Sequence, residues 1–277
     1  MDPTSPASAT ADDVDDVDEA AARPQLAARI VASSGPDQGR LVLVHGFTQT
    51  AACWAPVDTM LSPDHELVLI DAPGHGRSAA VELDLVSGGS AIAEVGGSGT
   101  YLGYSMGSRF VLHTALERPD HVRRLVLISP TAGIEDDTER AARRQSDDTL
   151  AAHLVAVGVP AFVDEWLRRP LFAGLPPDRA HRTGRLANTA AGLASSLRRA
   201  GTGTQTPLWD RLTELAMPVL IVAGADDAKF VTLAERMAAA IGLNAELCVI
   251  ESAGHTVHLE QPAAFLDRLR SWAARTA

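Results

Sequence analysis

A chain of 277 residues, 46% of them hydrophobic, is long enough for one large domain with a sizeable core. Its formal net charge of −11, with no basic block and no aromatic interleaving, excludes a nucleic-acid binder. Seven of the acids (Asp2, Asp12, Asp13, Asp15, Asp16, Asp18 and Glu19) fall in residues 1–22, which contain no Lys or Arg; the rest of the chain holds 28 acidic against 24 basic residues, a net of −4. The acidity therefore belongs to the tail and says little about a ligand.

Taken in chain order, residues 1–22 are acidic, alanine-rich and without aromatics, and read as a disordered tail preceding a domain over 23–277. They lack the basic start and apolar stretch of a secretory signal, and no later stretch approaches the ~18 consecutive apolar residues of a membrane span. A cytoplasmic protein is expected. Cys53 and Cys248 are far apart, lie in apolar contexts and read as core thiols of a reducing compartment.

An edge strand is predicted near Ala28–Ala32. Short aliphatic runs follow at Leu41–Val44, Leu67–Ile70, Thr100–Leu102, Leu125–Ile128, Val219–Val222 and Leu247–Ile250. Continuous rather than alternating apolar runs suit strands buried on both faces, as in a parallel sheet between helices, so the fold class is α/β. A helix is predicted from Ser105 to about Glu117, ending before Pro119. From about 133 to 210 the strand-like runs stop, and Gly and Pro separate several helical stretches; this is expected to be a helical lid. A last helix from about Pro262 puts Phe265, Leu266, Leu269 and Trp272 on one face.

The chemistry starts at Gly103-Tyr104-Ser105-Met106-Gly107, placed between an apolar run and a helix. This G-x-S-x-G pattern is the nucleophile elbow, a tight turn that lifts a serine oxygen above a parallel sheet. Serine needs an imidazole to take its proton and a carboxylate to orient that imidazole. Asp227 closes the run after Val219–Val222, and His255 follows the run ending at Ile250. Ser105, Asp227 and His255 come in the chain order of α/β hydrolases. Asp226 competes for the acid role, but the spacing from Gly224 favours Asp227. The oxyanion hole needs the amide after the nucleophile and one from an earlier loop. Met106 and Phe47 are expected to supply them. His45 and His75 read as loop-fixing residues.

Arg109, one helical turn after Ser105, puts a cation where a simple ester substrate needs none. Arg143 and Arg185 in the lid could join it, because guanidinium forks grip carboxylates. Arg144, Arg168 and Arg169 read instead as a solvated helix face. No metal-ligand spacing or cofactor motif is seen.

The elbow segment Gly103–Arg109, the segment Glu139–Asp147 with its E-R-x-x-R-x-Q-S-D pattern, the segment Phe162–Phe172 and the segment Gly254–Pro262 resemble 2-succinyl-6-hydroxy-2,4-cyclohexadiene-1-carboxylate synthases. The similarity runs from about Leu41 to the C-terminus. It implies the α/β-hydrolase fold and a lyase of menaquinone biosynthesis that eliminates pyruvate from an enolpyruvyl cyclohexene carrying succinyl and carboxyl groups. The resemblance assigns the triad the role of base, and carboxylate binding to Arg109, Arg143 and Arg185, with Tyr104 and Trp166 lining the pocket. It implies no cofactor, a small polycarboxylate as ligand and no obligate protein partner. Two features depart from the family pattern: Ser108 stands where a glycine is common, and Ser87–Thr100 is glycine-rich and short for the helix usual there. The residues alone also fit a serine hydrolase, either a carboxylesterase or a C–C bond hydrolase, or a ligand-sensing protein that kept the fold.

Overall fold

The computed structural model describes Met1, residues 25–36 and residues 38–276. The tail reading over 1–22 otherwise lies outside these residues. The aliphatic runs become seven strands: β1 (Ala28–Val31), β2 (Arg40–Val44), β3 (Glu66–Ile70), β4 (Gly99–Tyr104), β5 (Val122–Ile128), β6 (Val219–Gly224) and β7 (Ala245–Ile250). They form one sheet in the order β1-β3-β2-β4-β5-β6-β7. Edge strand β1 runs antiparallel to β3, and every other pairing is parallel.

Successive strand residues point to opposite faces, and both faces are buried. Val42, Val44, Val68, Ile70, Leu125 and Leu127 pack on one side with Phe110 and Val111. Leu41, Leu43, Leu67, Leu69, Val126 and Ile128 pack on the other with Phe265, Leu266, Leu269 and Trp272. That double burial explains why the runs are apolar at every position rather than at alternate ones.

The helices are α1 (Val57–Leu61), α2 (Leu85–Gly96), α3 (Met106–Glu117), α4 (Asp137–Leu167), α5 (Arg182–Arg185), α6 (Ala190–Ala200), α7 (Ala228–Ile241), α8 (Val257–Glu260) and α9 (Pro262–Arg275). The glycine-rich segment 87–100 supplies most of the 12-residue helix α2, whose N-cap Asp84 accepts from the Ser87 amide at 2.8 Å. Its glycines serve packing. A Cβ on Gly88 would lie 2.5 Å from the Phe110 ring, and one on Gly89 would lie 2.9 Å from the Thr114 nitrogen. Only hydrogen fits, so α2 and α3 approach closely.

Between β5 and β6 the chain is helical, as expected for 133–210. α4 bends at Gly158 (φ 78°, ψ 165°), two residues before Pro160, so it is two arms rather than one rod. One 18-residue window of α4 is apolar enough, by length and composition alone, to cross a membrane. Within the fold that apolarity is used: Ala151, Leu154, Val159, Phe162 and Val163 pack with Leu193, Ala194 and Leu197 of α6.

Candidate active site

Ser105 sits between β4 and α3 with φ 51° and ψ −108°, a strained conformation for a non-glycine residue. Its neighbours make that turn possible. A Cβ on Gly107 would lie 2.0 Å from the Val44 oxygen, and one on Gly103 would lie 2.4 Å from the Gly107 oxygen. The Ser105 amide donates to the Ile128 oxygen at 2.8 Å, tying the elbow to β5. Ser108, the departure from the family pattern, places its Oγ 2.6 Å from the Gly103 oxygen and accepts from the Ile128 amide at 3.0 Å. Here the hydroxyl is a staple beneath the turn.

His255 Nε2 is 3.0 Å from Ser105 Oγ, and its Nδ1 is 2.8 Å from Asp227 Oδ2. A carboxylate only accepts, so Nδ1 carries the hydrogen and Nε2 is left to accept from the serine. Asp226 is exposed and makes no hydrogen bond to His255 among the described residues. The His255 carbonyl accepts from Ser129 Oγ at 2.8 Å, and the Phe230 ring lies 4.4 Å from the imidazole.

Phe47 and Met106 both line the cavity beside Ser105. Among the described residues neither amide donates to a backbone oxygen, so both are free to receive an oxyanion. The Phe47 loop is held from several sides. The Thr48 amide (φ 66° at Thr48) donates to His75 Nε2 at 3.3 Å. The Ala72 amide donates to His45 Nε2 at 3.1 Å. Burial pushes His45 down to about 4 and His75 down to about 3, so both rings are neutral acceptors at pH 7.

The cavity has a volume of about 900 Å³. Arg109 reaches it from α3, 7% exposed, with Nη1 donating to the Ala200 oxygen at 2.6 Å. Burial, reinforced by Arg143 and opposed by Asp147, lowers its pKa to about 10, which leaves it a cation at pH 7. Arg143 lines the facing wall, its Nε fixed 2.8 Å from buried Asp147. Trp166 is also in the wall, as expected.

Two of the anticipated contacts are absent from this wall. Tyr104 is buried behind His255, its ring 5.5 Å away and 4.6 Å from His258. Arg185 is 1% exposed; its guanidinium donates to the Ala180 and Phe47 oxygens and to Thr48 Oγ1. It braces the Phe47 loop from behind, together with Asn188, whose Nδ2 donates to the Thr48 oxygen at 2.7 Å. No residue of α5 lines the cavity, although Ser196, Leu197 and Ala200 of α6 do, so proximity in sequence to lid residues did not carry Arg185 into it.

The sequence reading also passed over two cations. Arg169, read as solvated, lines the cavity with its guanidinium 4.3 Å from the Trp166 ring centre. Lys229, two residues after Asp227, lines the opposite wall. Its being the sole lysine gave no positional cue; its place two residues after Asp227 did. Arg144 and Arg168 are exposed, as their solvated reading requires.

The profile described as "Alpha/beta hydrolase family" matches residues 41–268. A Bacillus subtilis (strain 168) protein provisionally named 2-succinyl-6-hydroxy-2,4-cyclohexadiene-1-carboxylate synthase is 36% identical over 250 residues, covering 85% of this chain and 90% of its own. The 2-succinyl-6-hydroxy-2,4-cyclohexadiene-1-carboxylate synthase of Salmonella typhimurium (strain LT2) is 30% identical, covering 84% of this chain and 93% of its own. The solved structure of MenH from S. aureus superposes with a TM-score of 0.84 at 30% identity, covering 90% of this chain and 98% of that one. An elbow serine joined to His255 and Asp227 on a mostly parallel sheet, matched along most of its length, places this chain in the α/β hydrolase family, among the 2-succinyl-6-hydroxy-2,4-cyclohexadiene-1-carboxylate synthases.

Proposed function

We infer that this protein is a carbon–oxygen lyase of menaquinone biosynthesis. It eliminates pyruvate from 2-succinyl-5-enolpyruvyl-6-hydroxy-3-cyclohexene-1-carboxylate to give 2-succinyl-6-hydroxy-2,4-cyclohexadiene-1-carboxylate. The observation that carries this reading is the charge of the cavity around Ser105. Four cations, Arg109, Arg143, Arg169 and Lys229, line one cavity with the triad. A neutral ester has no use for them, whereas the substrate brings a ring carboxylate, a succinyl carboxylate and an enolpyruvyl carboxylate.

The mechanism follows from the hydrogen bonds. Ser105, its proton drawn toward His255 Nε2, acts as the base that removes a ring proton beside the succinyl ketone. The electron pair enters the carbonyl as an enolate, and the Phe47 and Met106 amides hold that oxyanion. Collapse of the enolate forms the second ring double bond and breaks the ring carbon–oxygen bond. The leaving group departs as the enolate of pyruvate, and a proton on its carbon gives pyruvate. His255 holds the abstracted proton and can return it, so no net proton is lost. Asp227 steadies the imidazolium formed in between. Arg109 and Arg143 take substrate carboxylates; the helical insertion acts as the lid that carries Arg143, Trp166 and Arg169 over the ring. Cys53 and Cys248 are buried free thiols, which fit the reducing cytoplasm where we place the protein.

The test is direct. Purified protein with the enolpyruvyl substrate should release pyruvate, followed by coupling to lactate dehydrogenase. A panel of esters run alongside should give little turnover. Strong ester hydrolysis without pyruvate release would make the protein a serine hydrolase. Silence in both assays would leave a ligand-sensing relative.

A further inference from the structure

Glu260 ends the short helix α8, five residues after His255, and is 7% exposed. Its Oε1 accepts from the Thr256 amide at 2.8 Å, and its Oε2 accepts from the Gly254 amide at 2.7 Å. The two oxygens thus hold the peptide groups on either side of the catalytic imidazole. A reach-back to Thr256 alone would resemble an ordinary helix cap, since Thr256 is the N-cap residue just before α8. The bond to Gly254, on the far side of His255, belongs to no cap. Among the described residues no Lys or Arg side chain pairs with the Glu260 carboxylate, so its charge is spent on backbone amides.

The insertion presses on the same carboxylate. A Cβ on Gly174 would lie 2.3 Å from Glu260 Oε2. Arg179 Nη1 donates to the Leu259 oxygen at 3.1 Å, and Phe172, Leu175 and Ala180 pack around Leu259. The segment from Phe172 to Ala180 therefore backs the loop that carries His255.

We propose that Glu260 is a positioning residue: its carboxylate clasps the Gly254 and Thr256 amides, sets His255 in line between Asp227 and Ser105, and ties that setting to the Gly174 segment of the insertion. The inference rests on the triad and not on the identity of the substrate. A carboxylate is needed because two N–H donors converge on it. A glutamine offers one acceptor oxygen and turns an NH₂ toward the other amide, donor against donor. Glu260→Gln should therefore release one flank of His255 while keeping the side chain's volume.

Two readouts test this. The first is the downfield proton resonance of His255 Nδ1–H, hydrogen-bonded to Asp227, which needs no substrate. The second is kcat against KM for pyruvate release. Folded Glu260→Gln should lose or broaden the resonance and lower kcat ~10- to 100-fold with KM within about twofold, the effect of a small misplacement at the reacting centre. Gly174→Ala should drive its methyl into the carboxylate and reproduce both changes. The double variant should be no worse than the stronger single one, because both act on one contact. A folded Glu260→Gln protein with the wild-type resonance and kcat overturns the proposal, whatever its melting temperature. If Glu260→Gln does not fold, Gly174→Ala decides alone: normal resonance and normal kcat overturn the proposal. Additive losses in the double variant overturn the tie to the insertion. A wild type that shows the resonance but releases no pyruvate counts against the lyase reading only.

Discussion

On the sheet side of the cavity each working residue is held by several short contacts. Ser105 is fixed by the elbow glycines and by Ile128, and His255 by Asp227, Ser129 and the Glu260 carboxylate. Across the cavity, on the insertion, Arg143 is tethered among the described residues only through its Nε, and Arg169 rests on the Trp166 face with an exposed side chain. The first wall has one geometry; the second can adjust to a ligand. Bond making and breaking tolerates little displacement, whereas gripping carboxylates with long cationic arms tolerates much. Substitutions on the sheet side should therefore act on kcat, and those on the insertion should act increasingly on KM.

The largest effects should come from the rigid wall. Ser105→Ala and His255→Ala should each cost at least ~10³-fold in kcat, since triad members act as a unit. Pre-steady-state and steady-state pyruvate release would read this, and near-normal turnover in Ser105→Ala would remove the serine from the mechanism. Asp227→Asn should fall by ~10³- to 10⁴-fold, because an amide can favour the wrong imidazole tautomer. Asp226→Asn should be nearly silent, its side chain being exposed and off the imidazole. The opposite ranking would move the acid to Asp226.

Arg109 and Arg143 stand at the border of the two walls. Arg109 is buried and half-anchored on Ala200; Arg143 is fixed by Asp147. Arg109→Lys and Arg143→Lys should each lose roughly 30- to 1,000-fold in kcat/KM, about 2–4 kcal/mol, because lysine keeps the charge but not the planar fork. Cleavage of any small neutral ester should hardly change. Equal activity of the wild type and both variants on the enolpyruvyl substrate would falsify the carboxylate roles.

Acid should separate the walls as well. His45, His75, His113 and His258 are buried in the body of the fold. Burial lowers His45 and His113 from 6.5 to about 4, and His75 and His258 to about 3. The unfolded chain binds protons that these native rings refuse, so stability rises with pH across that window. The contribution is complete above pH 6.5 and is lost as pH falls through about 4 and then 3, up to about 3 kcal/mol for a ring such as His45. Melting temperature should drop by at least about 10 °C between pH 7.5 and pH 4.5. A flat profile would mean that these rings are hydrated or protonated in the native state.

The sheet and the rigid wall were legible in the sequence for one reason: their determinants are local. Strands such as Leu41–Val44 are apolar throughout because both faces are covered, and Gly103 and Gly107 flank Ser105 because the turn itself requires them. The insertion was legible only as helical. Whether an arginine on a helix meets solvent or a cavity depends on what stands opposite, and sequence spacing does not contain that. Arg169 was read as solvated and is exposed, yet it also borders the cavity, and Arg185 was expected at the ligand although it braces Phe47 from behind. Glu260 lay inside a recognised motif, yet its role depends on the fold of Gly254 and Gly174 around it.

The smallest effects should come from the two rim cations, and they test the comparison most finely. Arg169 and Lys229 both line the cavity on exposed side chains. Neither touches the triad, so each should contribute the modest energy of a screened surface charge, ~0.5–1.4 kcal/mol, to binding in ground and transition state alike. Arg169→Gln and Lys229→Gln should then raise KM roughly two- to tenfold with kcat unchanged, the signature of uniform binding. The penalty should shrink as salt rises from 0.05 to 0.5 M, because the Debye length falls from more than ~10 Å to a few ångströms. Arg109→Lys, buried, should keep its penalty at both salts. A loss in kcat of ~100-fold in Arg169→Gln that persists in high salt would place this residue in the rigid wall, and the division between a fixed sheet side and an adjustable insertion would no longer hold.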